Sequence, residues 1–437
     1  YRRNTGRLAQ RNIGRGIQMK RRWIGLIILL AVGMSIIGVS KQQRPVQSED
    51  ESITLRVVLW DYDVVIYDRE LIENFEKDHP DIKIDVISYP PTYYNSSLTA
   101  LLDSGETVDV IYVNQLDQLS QITDRNLAMP LDSYIRRDGV PTEHYPGLDV
   151  LRGKDGELLA LPYRRDKFLL YYNKDLLDMA GVEYPADTMS WIDFMQYTGE
   201  VSENLWSGQF AACFLLNETQ ILQYMRDRSW SGSKENIQLL QDGMELLRTM
   251  QRKKYILPFS VCESYSASQR MFETGNYGLF VHGTWYLNYL QNDRNRFHFA
   301  WGVAEKPNWR TDQPYNAMML TPICINRNTQ HPEAAWTFVQ YLCGKQGAAT
   351  LAENLVLPAY EDESIRDILT RKLTEYGIDP ALVLDGYDAP ETALTPEQSR
   401  YMKQIYQYYR EALLELCTPQ QAMEKIQQLY YPTASVE

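Results

Sequence analysis

The sequence predicts an α/β protein built on a largely parallel sheet. Three observations carry that prediction. Strand-like and helix-like patterns alternate between Ile53 and Val113. The third strand of that run, Val108–Val113 (VDVIYV), is apolar as a strand covered on both faces would be. The composition, 44% hydrophobic and 23% charged, is that of a globular chain, and 437 residues give room for two or three domains, each with its own core.

The elements run in order along the chain. Ile53–Trp60 (ITLRVVLW) is β-rich and ends in Asp61-Tyr62-Asp63. Arg69–Lys77 places Leu71, Ile72 and Phe75 on one helix face, and His79-Pro80 stops it. Ile82–Ser88 alternates as a strand, Pro90-Pro91 opens a loop carrying Tyr93 and Tyr94, and Leu98–Asp103 is helical. Further along, Asp149–Leu161 reads as a hairpin and Phe168–Asn173 (FLLYYN) as an apolar-aromatic strand. Glu235–Met250 is a long amphipathic helix, Gly278–Val281 a strand feeding a turn and helix, and Phe297–Ala304 another strand. Met318–Ile325 is β-rich, Pro332–Leu342 starts a helix with proline in its first turn, and the chain beyond Pro358 is largely helical.

Charge divides the chain. Ten of its 44 Lys+Arg and only two of its 57 Asp+Glu fall in residues 1–50, so the body is more acidic than the net −13 of the whole. An acidic body argues against a phosphate-backbone partner, and nucleic acid is not expected. Residues 1–22 carry eight Arg/Lys and no acid, and Trp23–Val39 (WIGLIILLAVGMSIIGV) has no charge. A basic segment before an apolar run is a secretory signal or an uncleaved transmembrane helix, and it places the chain beyond it outside the membrane. Met19, with Lys20, Arg21 and Arg22 after it, reads as a natural signal start. Residues 1–50 are thus address and linker, and the body begins near 51.

Five scattered cysteines form no C-x-x-C pair, and the five histidines show neither zinc-ligand spacing nor H-E-x-x-H. No metal site, cofactor or phosphate loop is expected. A glycosidase would need two carboxyls ~5–9.5 Å apart. Asp61 and Asp63 make such a pair conceivable, but among 57 acids one arises by chance. Ligands of parallel sheets sit at the carboxyl ends of the strands. There the chain carries Trp60, Asp61 and Asp63, then Tyr93 and Tyr94. Each has a plain alternative: a capped strand end for the first three, and cover for the fold for the tyrosines.

Five stretches resemble a known family, the extracellular solute-binding proteins of bacterial ABC importers that take oligosaccharides and polyols. They are SGETVDVIYV (Ser104–Val113), LAMPLDSYI (Leu127–Ile135), GKDGELLALPYRRDKFLLYYNKDLLDMAGVEYP (Gly153–Pro185), FETGNYGLFVHGTW (Phe272–Trp285) and HPEAAWTFVQYLCGKQGAATLAENLVLPAY (His331–Tyr360). The resemblance implies a two-lobed, periplasmic-binding-protein-like fold of type II with a ligand cleft between the lobes. Carried onto this chain, lobe one is about 51–165 with 302–352, and lobe two about 166–301 with 353–437. Hinge crossovers fall near Arg165-Asp166, Gly302-Val303 and Leu351–Asn354. It further implies Trp285 as a stacking platform and Asp166 as a carboxylate reaching the ligand, with a core tryptophan and a solvated cluster with Arg164 and Arg165 as the plain alternatives. The implied partners are a carbohydrate or polyol and the permease subunits of a membrane transporter, bound by a monomer. The location is the outer face of the cell membrane, or the medium after cleavage. A ligand sensor of the same fold is the other reading. Two departures stand out: TDQPYNAMML (311–320) lacks the family's glycine-rich loop, and no lipid-attachment cysteine comes after the apolar run.

Overall fold

A computed structural model describes residues 52–185, 188–216, 234–264, 269–292, 298–387, 390–391 and 396–430. The segment 1–50, with its apolar run, lies outside the described residues. Among those described, no helix is long and apolar enough to cross a membrane.

Two mixed sheets flanked by helices form the two lobes. In the first, β1 (Ile53–Trp60), α1 (Ile66–Asp78), β2 (Ile82–Tyr89), α2 (Pro91–Asp103) and β3 (Val110–Tyr112) make the alternating unit. β1 pairs in parallel with both β2 and β3. β3 is buried throughout, as is the central run of β1, which explains the unbroken apolar stretches. Leu71, Ile72 and Phe75 of α1 are buried, and the Phe75 ring meets Phe338 edge-on at 4.8 Å. Tyr93 and Tyr94 lie in the first turn of α2 rather than in a loop. Pro91 occupies the opening position of that helix, where its fixed φ suits helix entry and its missing N–H costs nothing.

β4 (Leu161–Asp166) is buried at all six positions, although it carries Arg164, Arg165 and Asp166. It pairs on one side with the returning strand β9 (Met319–Ile325), giving the order β2-β1-β3-β9-β4. On the other side Arg165 donates its N–H to Leu357 and Ala359 donates to Tyr163, so the chain at 357–359 covers the edge.

One residue beyond β4 the chain enters the second sheet as β5 (Phe168–Asn173). With β6 (Phe210–Cys213), β7 (Tyr277–Gly283) and β8 (Trp301–Glu305) it gives the order β6-β7-β5-β8. Trp301–Glu305 pairs with β5, so Gly302 and Val303 belong to the second sheet and the chain returns to the first only after Glu305. Its helices include α3 (Trp191–Glu203), opened by a capping box between Ser190 and Asp193, and α4 (Lys234–Arg252). The short α5 (Tyr286–Asn292) comes directly after β7.

After β9 come α6 (Pro332–Cys343), α7 (Lys345–Glu353) and α8 (Glu363–Glu375). α7 packs on α1 and α8 on α7, beside the first sheet, whereas α9 (Pro396–Leu413) and α10 (Pro419–Tyr430) pack on α4. The tail beyond 353 is therefore shared between the lobes rather than given wholly to the second. Arg371, which bonds the Glu353 carboxylate, adds to the hold of α8 on α7.

The chain crossings converge on Lys167, whose side chain is fully buried. Its ammonium donates to Glu305 Oε1 at 3.2 Å and to the Asp385 carbonyl at 2.8 Å, and lies 5.3 Å from the Tyr387 ring centre.

Candidate functional site

The site is assembled where the carboxyl ends of β1 and β4 face the start of α5. Asp61, directly after β1, has φ +57, the left-handed region that Asp tolerates better than most residues. The turn holds it there: its N–H donates to Tyr89 at 3.3 Å, and its carbonyl accepts from Val64 and Val65 at 2.8 and 2.9 Å. The side chain reaches toward the other lobe, where the Tyr289 hydroxyl donates to Oδ2 at 3.0 Å. Burial raises the Asp61 pKa, opposed by that bond and by Arg164 and Arg270.

Trp60 is half-buried, edge-on to Tyr94 at 5.0 Å and to Tyr112 at 6.4 Å, with the Arg164 guanidinium 5.9 Å from its ring. Asp63 points to solvent two residues beyond Asp61. Tyr93 is 64% exposed on α2. Tyr94 is a core residue instead of a cleft residue: it is fully buried, and its hydroxyl faces the Tyr112 and Val58 carbonyls at 2.5 and 3.1 Å. With its one proton given to backbone acceptors and its ring enclosed, Tyr94 presents no donor to a ligand.

Asp166 closes β4 in the interior. It accepts from Thr284 Oγ1 at 2.7 Å and from the Trp285 N–H, which ties the end of the first sheet to the entrance of α5. Burial pushes its pKa up to about 6, opposed by Arg164, the Thr284 bond and the Trp285 N–H. Arg164 and Arg165, for which a solvated cluster with Asp166 was the plain alternative, are each only 7% exposed. Arg164 donates to Tyr67 at 2.7 Å, and Arg165 pairs with Glu361 while its guanidinium lies 4.8 Å from the Tyr387 ring centre. The enclosure of β4 on both edges is what buries them. Beneath Trp60, buried Asp68 accepts from the Tyr163 hydroxyl at 2.8 Å and is likewise raised to about 6 by burial.

Trp285 is half-buried and packs against two clusters of buried side chains, one that runs through both sheets and one built on the second. Its ring lies over Gly283, where an added Cβ would come within 2.0 Å of it, so glycine is required there. Phe168 meets it edge-on at 5.7 Å, and its Nε1 lies 3.2 Å from His282 Nε2. Trp285 lies in the turn just before α5, and Tyr289, four residues on, lies within that helix. The structure therefore brings Trp60, Asp61, Asp166 and Trp285 to one junction, and leaves Asp63 and Tyr93 on its outer side.

Sequence reasoning missed Tyr289, His282, Gln269 and Asp68. The four-residue step from Trp285 was a usable signal for Tyr289; the others lie on elements that only the fold brings together. Tyr171 and Trp191 are core residues. On β9, Met319 sits in register opposite Asp166, so that side of the junction is lined by a thioether where a glycine-rich loop was absent. Surface hollows of about 520 Å³, at Tyr145, Gly147 and Pro390, and about 410 Å³, at Tyr172, Gly302 and Asp379, lie elsewhere. Among the described residues no group of three His, Cys, Asp or Glu could hold a metal ion, and the five cysteines are unpaired, four of them buried. The arrangement offers what a polyhydroxylated ligand needs: a flat apolar face beside carboxylates that accept hydroxyl protons.

Comparison with known proteins agrees with this geometry. The model of the bacterial extracellular solute-binding protein family matches residues 70–362, well over half of the chain. A putative binding protein of Brucella abortus is 22% identical over 316 residues, covering 69% of this chain and 74% of that one. Among solved structures, the ABC substrate-binding protein of Listeria monocytogenes in complex with cycloalternan is similar at TM-score 0.72 and 19% identity, over 88% of this chain and 99% of that one. The GacH receptor of Streptomyces glaucescens, solved unliganded and with acarbose, is similar at TM-score 0.70 and 18% identity, over 87% and 98%. Fold and family are those of substrate-binding proteins, whose place is outside the cytoplasm. The chain belongs to the bacterial extracellular solute-binding proteins.

Proposed function

We propose that this protein captures a sugar or oligosaccharide between its lobes and delivers it to the permease subunits of an ABC importer. The observation that carries the reading is that Asp166 and Asp61, at the ends of β4 and β1, bond Thr284 and Tyr289, residues on either side of the half-buried Trp285 in the segment that leads into α5. A stacked ring contributes ~0.5–1.5 kcal/mol beyond area burial, and hydrogen bonds to charged groups ~1.5–3 kcal/mol each. A few of each reach micromolar affinity after the cost of association. That similar folds hold cycloalternan and acarbose supports a saccharide over an amino acid or a metal ion. Trp60 and Asp63 widen the site at the first lobe. The protein works as a monomer, and the uncharged run Trp23–Val39 behind its basic segment supports attachment at the outer face of the cell membrane.

The test is a thermal-shift screen of residues 45–437 against monosaccharides, linear maltooligosaccharides and cyclic α-glucans, with amino acids, polyamines and metal ions as controls. Saturation at a hundred times the dissociation constant adds ~2.7 kcal/mol of stability. A saccharide shift that Trp285→Ala removes supports the reading; silence from all saccharides beside a response to a control overturns it.

A further inference from the structure

The ionised carboxylates at the lobe junction only accept hydrogen bonds. A ligand hydroxyl brings one proton and two lone pairs, so Asp61 and Asp166 meet half of what it needs. The neutral donors beside them are engaged. Tyr289 gives its hydroxyl proton to Asp61, Thr284 gives its own to Asp166, and the Trp285 indole nitrogen lies against His282.

Arg164 is the exception. It stands two residues before Asp166 on β4, and the register against β9 is regular between them, with Arg164 opposite Thr321 and Asp166 opposite Met319. Side chains two apart on a strand leave from the same face, ~6–7 Å apart. The guanidinium lies 5.9 Å from the ring centres of both Trp60 and Tyr67, which sets it between Asp166 and the end of β1. Nη1 donates to the Tyr67 hydroxyl at 2.7 Å. Nε is buried with no acceptor, and among the described residues Nη2 has none and no carboxylate pairs with the group directly. Asp68 is held by the Tyr163 hydroxyl instead. Nε and Nη2 form one edge of the guanidinium, the fork that grips two oxygens at once. Burying a charged group with donors unmatched costs the fold their desolvation, and a ligand oxygen at that edge recovers it.

We propose that Arg164 is a ligand-contacting residue whose guanidinium donates to the oxygens of an uncharged saccharide while the sugar's hydroxyls donate to Asp61 and Asp166. One hydroxyl lying between Arg164 and Asp166 satisfies both, accepting from the first and donating to the second. The ligand is uncharged because the junction sets three carboxylates, Asp61, Asp68 and Asp166, against this one guanidinium, and an anionic group would meet net repulsion there. The assignment rests on the saccharide reading above and adds to it the donor and the charge class.

The test is isothermal titration of the whole chain with maltotriose, a cyclic α-glucan and trigalacturonate. Wild type is expected to bind a neutral saccharide and to bind trigalacturonate at least 10-fold more weakly. Arg164→Lys keeps the buried charge and loses the fork, and should weaken the neutral saccharide about 10-fold or more. Arg165→Lys is the matched control: Arg165 is equally buried, leaves the opposite face of β4 and pairs with Glu361, so affinity should stay within about threefold. A role confined to the fold would lower the melting temperature of Arg164→Lys and leave its affinity unchanged, which overturns the proposal. An equal loss in both variants overturns it too, as does trigalacturonate binding as tightly as the neutral sugars. Silence from every saccharide in wild type removes the sugar reading and this contact with it, whereas equal affinity in Arg164→Lys removes the contact alone. Should Arg164→Lys fail to fold, a crystal structure of wild type with the saccharide that binds decides the point. A sugar oxygen within hydrogen-bond distance of Nε or Nη2 is expected, and a guanidinium bonded only to Tyr67 and water overturns the assignment.

Discussion

The two sides of the lobe junction are built by opposite means. The first lobe contributes charge: Asp61, Asp68, Arg164 and Asp166, all near the carboxyl ends of β1 and β4 or at the start of α1, and three of them buried. The second lobe contributes a ring and neutral partners: Trp285, His282, Gln269 and Tyr289, on β7, on α5 and just before them. Strand ends hold charged groups at fixed separations because the backbone is locked by neighbours on both sides, while the turn before α5 presents a ring seated over Gly283 and edge-on to Phe168. The difference teaches that the junction is divided chemically, with carboxylates on one side and a flat ring with neutral partners on the other.

The largest effect that would sharpen this contrast is expected from Arg164→Leu. It leaves Asp68 and Asp166 buried without their common cation, and breaking a buried charge network in this way costs ~3–5 kcal/mol. Urea unfolding should show that loss, and a change under ~1 kcal/mol would mean that the wall does not depend on charge balance.

Acidity gives the next largest effect. Asp68 and Asp166 are raised to about 6 in the folded state by burial, above the ~3.9 of an unfolded Asp. The folded state therefore holds more protons than the unfolded one between about pH 4 and 6. Their contribution is fully present below the unfolded value and is lost as pH rises through about 6. Unfolding free energies taken between pH 4 and 7 should fall along that limb by roughly 1–3 kcal/mol per group. Asp68→Asn should flatten the fall, and an unaltered slope in that variant would assign it to other groups.

Trp285→Ala should act on binding more than on folding. Loss of one stacked ring is expected to weaken saccharide affinity roughly 10-fold, at ~0.5–1.5 kcal/mol from stacking plus lost apolar contact. Isothermal titration would detect it, and equal affinity would move the platform elsewhere, Trp60 first. The smallest effect separates two neighbours on α2. Tyr94→Phe should cost ~1 kcal/mol of stability through its lost backbone hydrogen bond and leave affinity unchanged. Tyr93→Ala should stay within ~0.5 kcal/mol of wild-type stability. A larger affinity loss at Tyr94 than at Tyr93 would reverse their assignments.

The first lobe was the more legible in the sequence. Buried parallel strands such as β3 write themselves as continuous apolar runs, and α1 announces its buried face through Leu71, Ile72 and Phe75. The start of α2 was misread because Pro-Pro is ambiguous between loop and helix entry. Only packing against β1 shows that Tyr94 is interior. Arg164 and Arg165 look solvated in any one-dimensional reading, since a charged triplet ordinarily faces water. Their burial comes from β9 and from residues 357–359, nearly two hundred positions away. Gln269 and His282 lie close to Trp285 in the chain, yet they are ordinary polar residues until the fold sets His282 against both the indole and the Gln269 amide.

Lys167 gives the fold a mechanical property. One ammonium holds the start of β5, the end of β8 and the chain at Asp385, three crossings fastened at a single point. Two bodies joined by parallel cords can slide or shear past one another; bodies pinned at one point can only swing. Sliding would tear a buried cation from its acceptors, whereas rotation about Lys167 would leave those bonds in place.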